Sequence, residues 1–80
     1  MDSYDRQRIG EIKSKISENK NEISRLYDDI KSYQEIKPSM RGDQRWEVER
    51  EISDRHGRIL RLREENDRLY REKESIYARR

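Results

Sequence analysis

In IGEIKSKISENKNEISRLYDDI, residues 9–30, the apolar side chains are spaced in a regular pattern that predicts the fold. Isoleucine and leucine recur at alternating intervals of three and four residues, and the one interruption is Asn19. This is the heptad pattern of a helix that packs along one apolar seam formed by its a and d positions. The a positions are Ile9, Ile16, Ile23 and Ile30, and the d positions are Ile12, Asn19, Leu26 and Tyr33.

The same rhythm returns in the second half of the chain. The d positions there are Val48, Arg55, Leu62, Leu69 and Ile76, and the a positions are Ile52, Ile59, Asn66 and Lys73. The 80 residues therefore predict an all-α fold, a single antiparallel helical hairpin with helices at 4–36 and 44–78.

The predicted connection, residues 37–43, contains the only proline and a glycine. We expect Pro38 to push Lys37 out of helical geometry and Gly42 to supply freedom for the turn. Asp43 is the expected N-cap of the second helix, because a carboxylate can accept hydrogen bonds from the unpaired amides of the first turn. A domain-swapped dimer with an opened connection would satisfy the same heptads.

The two polar interruptions of the seam predict the register of the hairpin. If the numbers of facing residues sum to 85, apolar residues face each other and Asn19 faces Asn66. Their amides could then hydrogen-bond, which costs stability relative to leucine but penalises sliding by a heptad. Lys73 and Arg55 would lie on the seam along their apolar stems, with their charges outside.

The residues beside the seam predict two different edges. At the g positions, cross-helix pairs of opposite charge are expected: Arg8 with Glu72, Lys15 with Glu65, and Glu22 with Arg58. The e and b positions instead carry an apolar and aromatic stripe, which we take as the partner-binding face: Tyr27, Trp46, His56, Leu60, Tyr70 and Tyr77. A two-helix hairpin needs only its a and d seam, so this additional width predicts a second interface.

A single seam buries little apolar surface for the number of residues that it orders. An assembled state is therefore expected, most simply two hairpins that form a four-helix bundle. The partner is either a second copy of the chain or a different helical protein.

Composition limits the remaining classes of function. The chain is 48% charged, has no cysteine and contains no apolar run long enough for a signal peptide or a membrane span. We expect a cytoplasmic protein, or one exported without a cleaved signal, that has no membrane partner. Because one histidine and ion-paired carboxylates are the available chemistry, we expect no catalytic residue, no metal site, no cofactor, no small-molecule substrate and no enzyme activity.

Nucleic acid is a further possible partner, through the basic residues Lys13, Lys20 and Arg63 among the tyrosines of the e positions. In length and hairpin shape the chain is similar to the small plasmid RNA-binding proteins that dimerise into four-helix bundles. That similarity implies a dimeric RNA-binding hairpin.

A second resemblance comes from the segment YREKE, Tyr70 to Glu74. It resembles the Tyr followed four residues later by an acid near the end of the second helix in the small helical hairpins of type VII secretion. The Trp-any-Gly turn of that family has no counterpart, since Glu47 and Val48 follow Trp46. This resemblance implies a secretion-system partner or chaperone that pairs with a larger helical protein.

The function that the sequence favours is a non-enzymatic coiled-coil interaction protein: an oligomerisation, scaffold or adaptor protein that acts by helix–helix association. Asn19 and Asn66 would set its register.

Overall fold

The computed structural model describes residues 2–79, and within them the chain consists of two long helices without a β-strand. Helix α1 spans Ser3–Ile36 and helix α2 spans Asp43–Ala78. A short 3-10 turn, Lys37–Ser39, follows α1. The predicted helices, 4–36 and 44–78, each begin one residue too late and end at the observed residue.

The start of α1 is fixed by a side-chain cap. The amide of Asp5 donates a hydrogen bond to Oδ1 of Asp2 over 2.8 Å, which satisfies one of the unpaired donors of the first turn. Asp5 itself places a negative charge near the positive end of the helix dipole.

The connection corrects two predictions. Lys37 keeps helical backbone angles, since Pro38 lies in the first turn of the 3-10 segment, where its missing amide hydrogen is not needed. The chain leaves helical geometry only at Met40, which is extended. The N-cap of α2 is Gly42, with a φ of 60° that favours glycine, so Asp43 is the first helical residue and not the cap.

The two helices pack side by side in opposite directions and form a rod of 59 × 14 × 13 Å. Its buried side chains come from the predicted seam. The buried apolar residues are Ile9, Ile12, Ile16, Ile30, Val48, Ile59, Leu62 and Ile76. The helical hairpin predicted from the heptads is therefore confirmed.

Burial is most continuous near the chain ends. Ile9, Ile12, Ile16 and Ile76 form one buried cluster, against which Leu69 and Tyr70 pack; we call these six residues the terminal cluster. Ile12 is completely shielded from solvent. No helix within residues 2–79 has the length and apolar composition needed to cross a membrane.

Candidate association face

The structure brings the two seam asparagines together. The Nδ2 atom of Asn19 donates to Oδ1 of Asn66 over 2.8 Å, and both side chains are buried. Nδ2 of Asn66 donates onward to the carbonyl oxygen of Ile16 at 3.5 Å. Among the described residues, every buried side-chain nitrogen or oxygen has a hydrogen-bond partner. The layer of Asn19 and Asn66 is thus polar, but its amides are hydrogen-bonded, which limits the loss of folding stability caused by burying them.

One edge of the hairpin is held by ion pairs between the helices. Arg8 binds Glu72 through two nitrogens, and its Nη2 lies 2.8 Å from Oε1. Arg58 pairs with Glu22, with Nε 3.1 Å from Oε1. The predicted pair of Lys15 with Glu65 is absent from the described residues; Lys15 instead approaches Glu18, one turn along its own helix, at 3.9 Å. The lysine side chain is long and flexible, so it can reach a carboxylate on its own helix as easily as one across the seam.

The ion pair between Arg8 and Glu72 shifts the pKa values of both side chains. The hydrogen bond from Arg8 holds the pKa of the Glu72 carboxyl below its usual value. The same bond, with a smaller effect of Glu11, raises the pKa of Arg8 above its ordinary range. Both side chains remain partly exposed, so solvent screens much of this attraction.

Arg55 lies on the seam near the connection, as the heptads predict, but its guanidinium also stacks on an aromatic ring, which the heptads do not predict. Its guanidinium carbon lies 4.8 Å from the centre of the Tyr33 ring. Nε of Arg55 also lies 3.4 Å from a carboxylate oxygen of Asp29, and Nη1 donates to the carboxylate of Glu51. The hydrogen bond with Glu51 is the main reason that the pKa of Arg55 is raised. The sequence contains one feature that could have predicted this stack: a basic and an aromatic residue occupy d positions in adjacent layers of opposite helices.

On the other edge, contacts between cations and aromatic rings join the two helices. Nζ of Lys20 lies 5.6 Å from the centre of the Tyr70 ring on the opposite helix. The guanidinium of Arg63 lies 5.5 Å from the ring of Tyr27, and its Nη2 donates to the Tyr27 hydroxyl. Two residues predicted for nucleic acid, Lys20 and Arg63, thus hold two residues predicted for the partner-binding face. Lys13 is exposed on the same edge.

The e and b positions of both helices form one solvent-facing surface, which we call the e/b face. Trp46 and Leu60 are its most exposed large apolar residues, at 60% and 58% of their full accessible surface. Tyr27 and Tyr77 are also exposed, whereas Tyr70 is half-buried because it packs on the buried isoleucines of the terminal cluster. The guanidinium of Arg50 lies 5.1 Å from the centre of the Trp46 ring, so this indole is partly ordered by its own helix.

His56 lies exposed on the e/b face. The described residues contain no group of three or more histidine, aspartate and glutamate side chains placed to hold a metal ion. One open groove along the rod is lined by Asp29, Ser32, Tyr33, Ile36 and Arg55. What the e/b face offers chemically is apolar contact, aromatic rings and charge.

Compared with known proteins, the chain matches no family model, no curated protein and no solved structure.

Proposed function

We propose that this chain is a non-enzymatic interaction protein, an oligomerisation, scaffold or adaptor module that works by helix–helix association through its e/b face. The observation that carries the proposal is the exposure of Trp46 and Leu60 on a rod whose surface is otherwise dominated by charge. Large exposed apolar side chains grouped on one face of a protein mark interaction sites.

The positions of these side chains suit a helical partner. Trp46 and Leu60 are two heptads apart, which places them on one line along α2 about 21 Å apart. Tyr77 continues that side of the helix toward the chain end. A partner helix that lies along this line would contact all three residues with one apolar stripe of its own.

The tyrosines of the face are held before any partner arrives. Tyr27 is fixed by Arg63, and Tyr70 by Lys20 and the terminal cluster. Side chains that are already ordered lose less entropy on association. The nucleic-acid alternative is less well supported, because Asp67 and Glu74 also lie on this face and repel phosphate.

The test uses the concentration dependence of thermal unfolding, followed by circular dichroism across a hundredfold range. Association of folded hairpins raises Tm with concentration. Leu60→Glu should abolish that rise while leaving the Tm of the dilute chain unchanged, because the exposed Leu60 adds little to the hairpin itself.

Tyr4→Glu is the matched control, since Tyr4 is the most exposed large apolar residue, at 73%, and lies at a c position away from the e/b face. It should keep the concentration dependence of the unmodified chain. A Leu60→Glu chain that also keeps it contradicts the proposal. An unmodified chain without any dependence favours the larger helical partner of a secretion system instead.

A further inference from the structure

We infer that the occupant of the e/b face is a second copy of this chain, arranged so that α1 of each hairpin lies along α2 of the other. The arrangement is a twofold-symmetric dimer whose axis runs parallel to the helices. This dimer rests on the proposed function, because it uses the same face, and it adds the identity and the orientation of the partner.

The charges of the two halves of the face are complementary. Between residues 10 and 34, the e and b positions of α1 carry Lys13, Lys20 and Lys31 and no acidic residue. Between residues 53 and 77, those of α2 carry Asp67 and Glu74 against one arginine, Arg63. One hairpin therefore presents a basic helix beside an acidic and aromatic one, and complementary charge fixes the orientation of partners.

That distribution selects between the two ways of stacking two hairpins face to face. If each helix lay on its own copy, the three lysines would meet three lysines and the acidic residues would meet each other, which is repulsive. With the twofold axis parallel to the helices, α1 lies over α2 of the second copy, and opposite charges meet at both contacts.

The register of a single hairpin then fixes which residues meet. Asn19 and Asn66 lie at the same height along the rod. Lys20 of the second copy therefore lies within about 3 Å, along the axis, of the height of Asp67, and Lys13 of the second copy has the same offset from Glu74. One heptad further on, Tyr27 of the second copy meets Leu60 by the same rule. Three successive heptads are matched, two by charge and one by apolar contact.

The α1 side of the e/b face leaves space for α2 of the second copy at Gly10. A Cβ atom built on Gly10 would contact nothing within 4 Å, although glycine inside a helix costs about 1 kcal/mol relative to alanine. The hairpin alone does not explain that glycine. In the dimer, Tyr77 of the second copy lies within about 3 Å, along the axis, of the height of Gly10, where the absence of a side chain admits an aromatic ring.

The experiment is a charge swap between copies, read by the dissociation constant of the dimer in sedimentation equilibrium at low salt. Lys13→Glu and Glu74→Lys are made as separate chains. Each alone should dimerise about tenfold more weakly, because its homodimer contains two contacts between like charges. An equimolar mixture should recover the affinity of the unmodified chain, since both contacts of the mixed dimer again join opposite charges.

Two matched variants control for net charge. Arg25→Glu and Glu64→Lys change the charge by the same amounts at exposed positions of α1 and α2 that lie outside the e/b face. Each should dimerise within about threefold of the unmodified chain.

The outcomes separate this inference from the proposed function. Recovery in the mixture, together with unchanged control variants, supports the dimer. A chain that dimerises and loses dimerisation on Leu60→Glu, but shows no recovery in the mixture, overturns this arrangement and leaves the proposed function standing. An unmodified chain that stays monomeric at millimolar concentration overturns the second copy as the occupant.

Discussion

The seam between the two helices differs in composition at the two ends of the hairpin. Near the chain ends, the terminal cluster excludes water with isoleucine, leucine and one tyrosine ring. Near the connection, the seam contains Arg55 on the ring of Tyr33, and open grooves flank that stack. The Asn19–Asn66 layer lies between the two regions. Ion pairs join the helices at both ends, but the seam itself is continuous and apolar only at the terminal end and contains a charged residue at the connection end.

A cavity in the terminal cluster should lower stability more than any other change considered below. Ile12→Ala removes a fully buried side chain and should lower the free energy of unfolding by about 2–5 kcal/mol. Ile36→Ala is the control at the connection end, where the side chain is 42% exposed, and should cost less than about 1 kcal/mol. Chemical denaturation at one fixed protein concentration measures both. Equal losses in the two variants would contradict the contrast between the ends.

The asparagine layer should show the next largest effect. Asn66→Leu alone leaves the buried amide of Asn19 without its partner and should cost about 1–3 kcal/mol. Asn19→Leu combined with Asn66→Leu should instead raise Tm, because the layer becomes apolar, while register or oligomeric state becomes less uniform. Tm from circular dichroism and mass from light scattering test the two halves of the prediction. A lower Tm in the double variant would show that the amide pair stabilises the hairpin.

At the connection end we expect a smaller coupling between Arg55 and Tyr33. A double-mutant cycle with Arg55→Met and Tyr33→Leu, both of which keep apolar bulk on the seam, should give an interaction free energy of about 0.5–1 kcal/mol. The same cycle built on Lys13 and Tyr4, two exposed residues for which no mutual contact is seen, is the control. A coupling near zero for Arg55 and Tyr33 would mean that the stack is incidental.

The least change in stability is expected for the ion pair of Arg8 with Glu72, which joins the two helices beside the terminal cluster. The folded pKa of Glu72 lies below its unfolded value, so its contribution is present at neutral pH and disappears as the pH falls through that lowered pKa. Glu72→Gln should therefore lower Tm slightly at pH 7, and the difference from the unmodified chain should vanish once the pH falls below the lowered pKa of Glu72. Glu65→Gln is the control, because Glu65 occupies the same heptad position without the predicted pair. A difference that persists in acid would point to lost packing and not to charge.

The seam could be predicted from the sequence because its signal is periodic and its partner lies in the same chain. The interval between Asn19 and Asn66 gave the register, and the structure places the two amides in hydrogen-bond contact. The local geometry of the connection was harder. Whether Gly42 or Asp43 caps α2 depends on backbone angles that residue types only bias.

The heptad pattern also could not predict which partner each side chain on the two edges would contact. Lys15 can reach either Glu18 or Glu65, and the difference between these exposed contacts is a few tenths of a kcal/mol. The stripe of Tyr27 and Tyr70 was visible in the sequence, but its engagement with Arg63 and Lys20 depends on rotamers. The partner of the e/b face remains a proposal, because the pattern of one chain describes only one side of an interface.

The most direct test of association through the e/b face is the mass of the unmodified chain by light scattering across a tenfold dilution series. One chain has a mass of 9.9 kDa. A mass close to that of two chains at high concentration, which falls toward one chain on dilution, is the expected result. A mass of one chain at every concentration would contradict self-association.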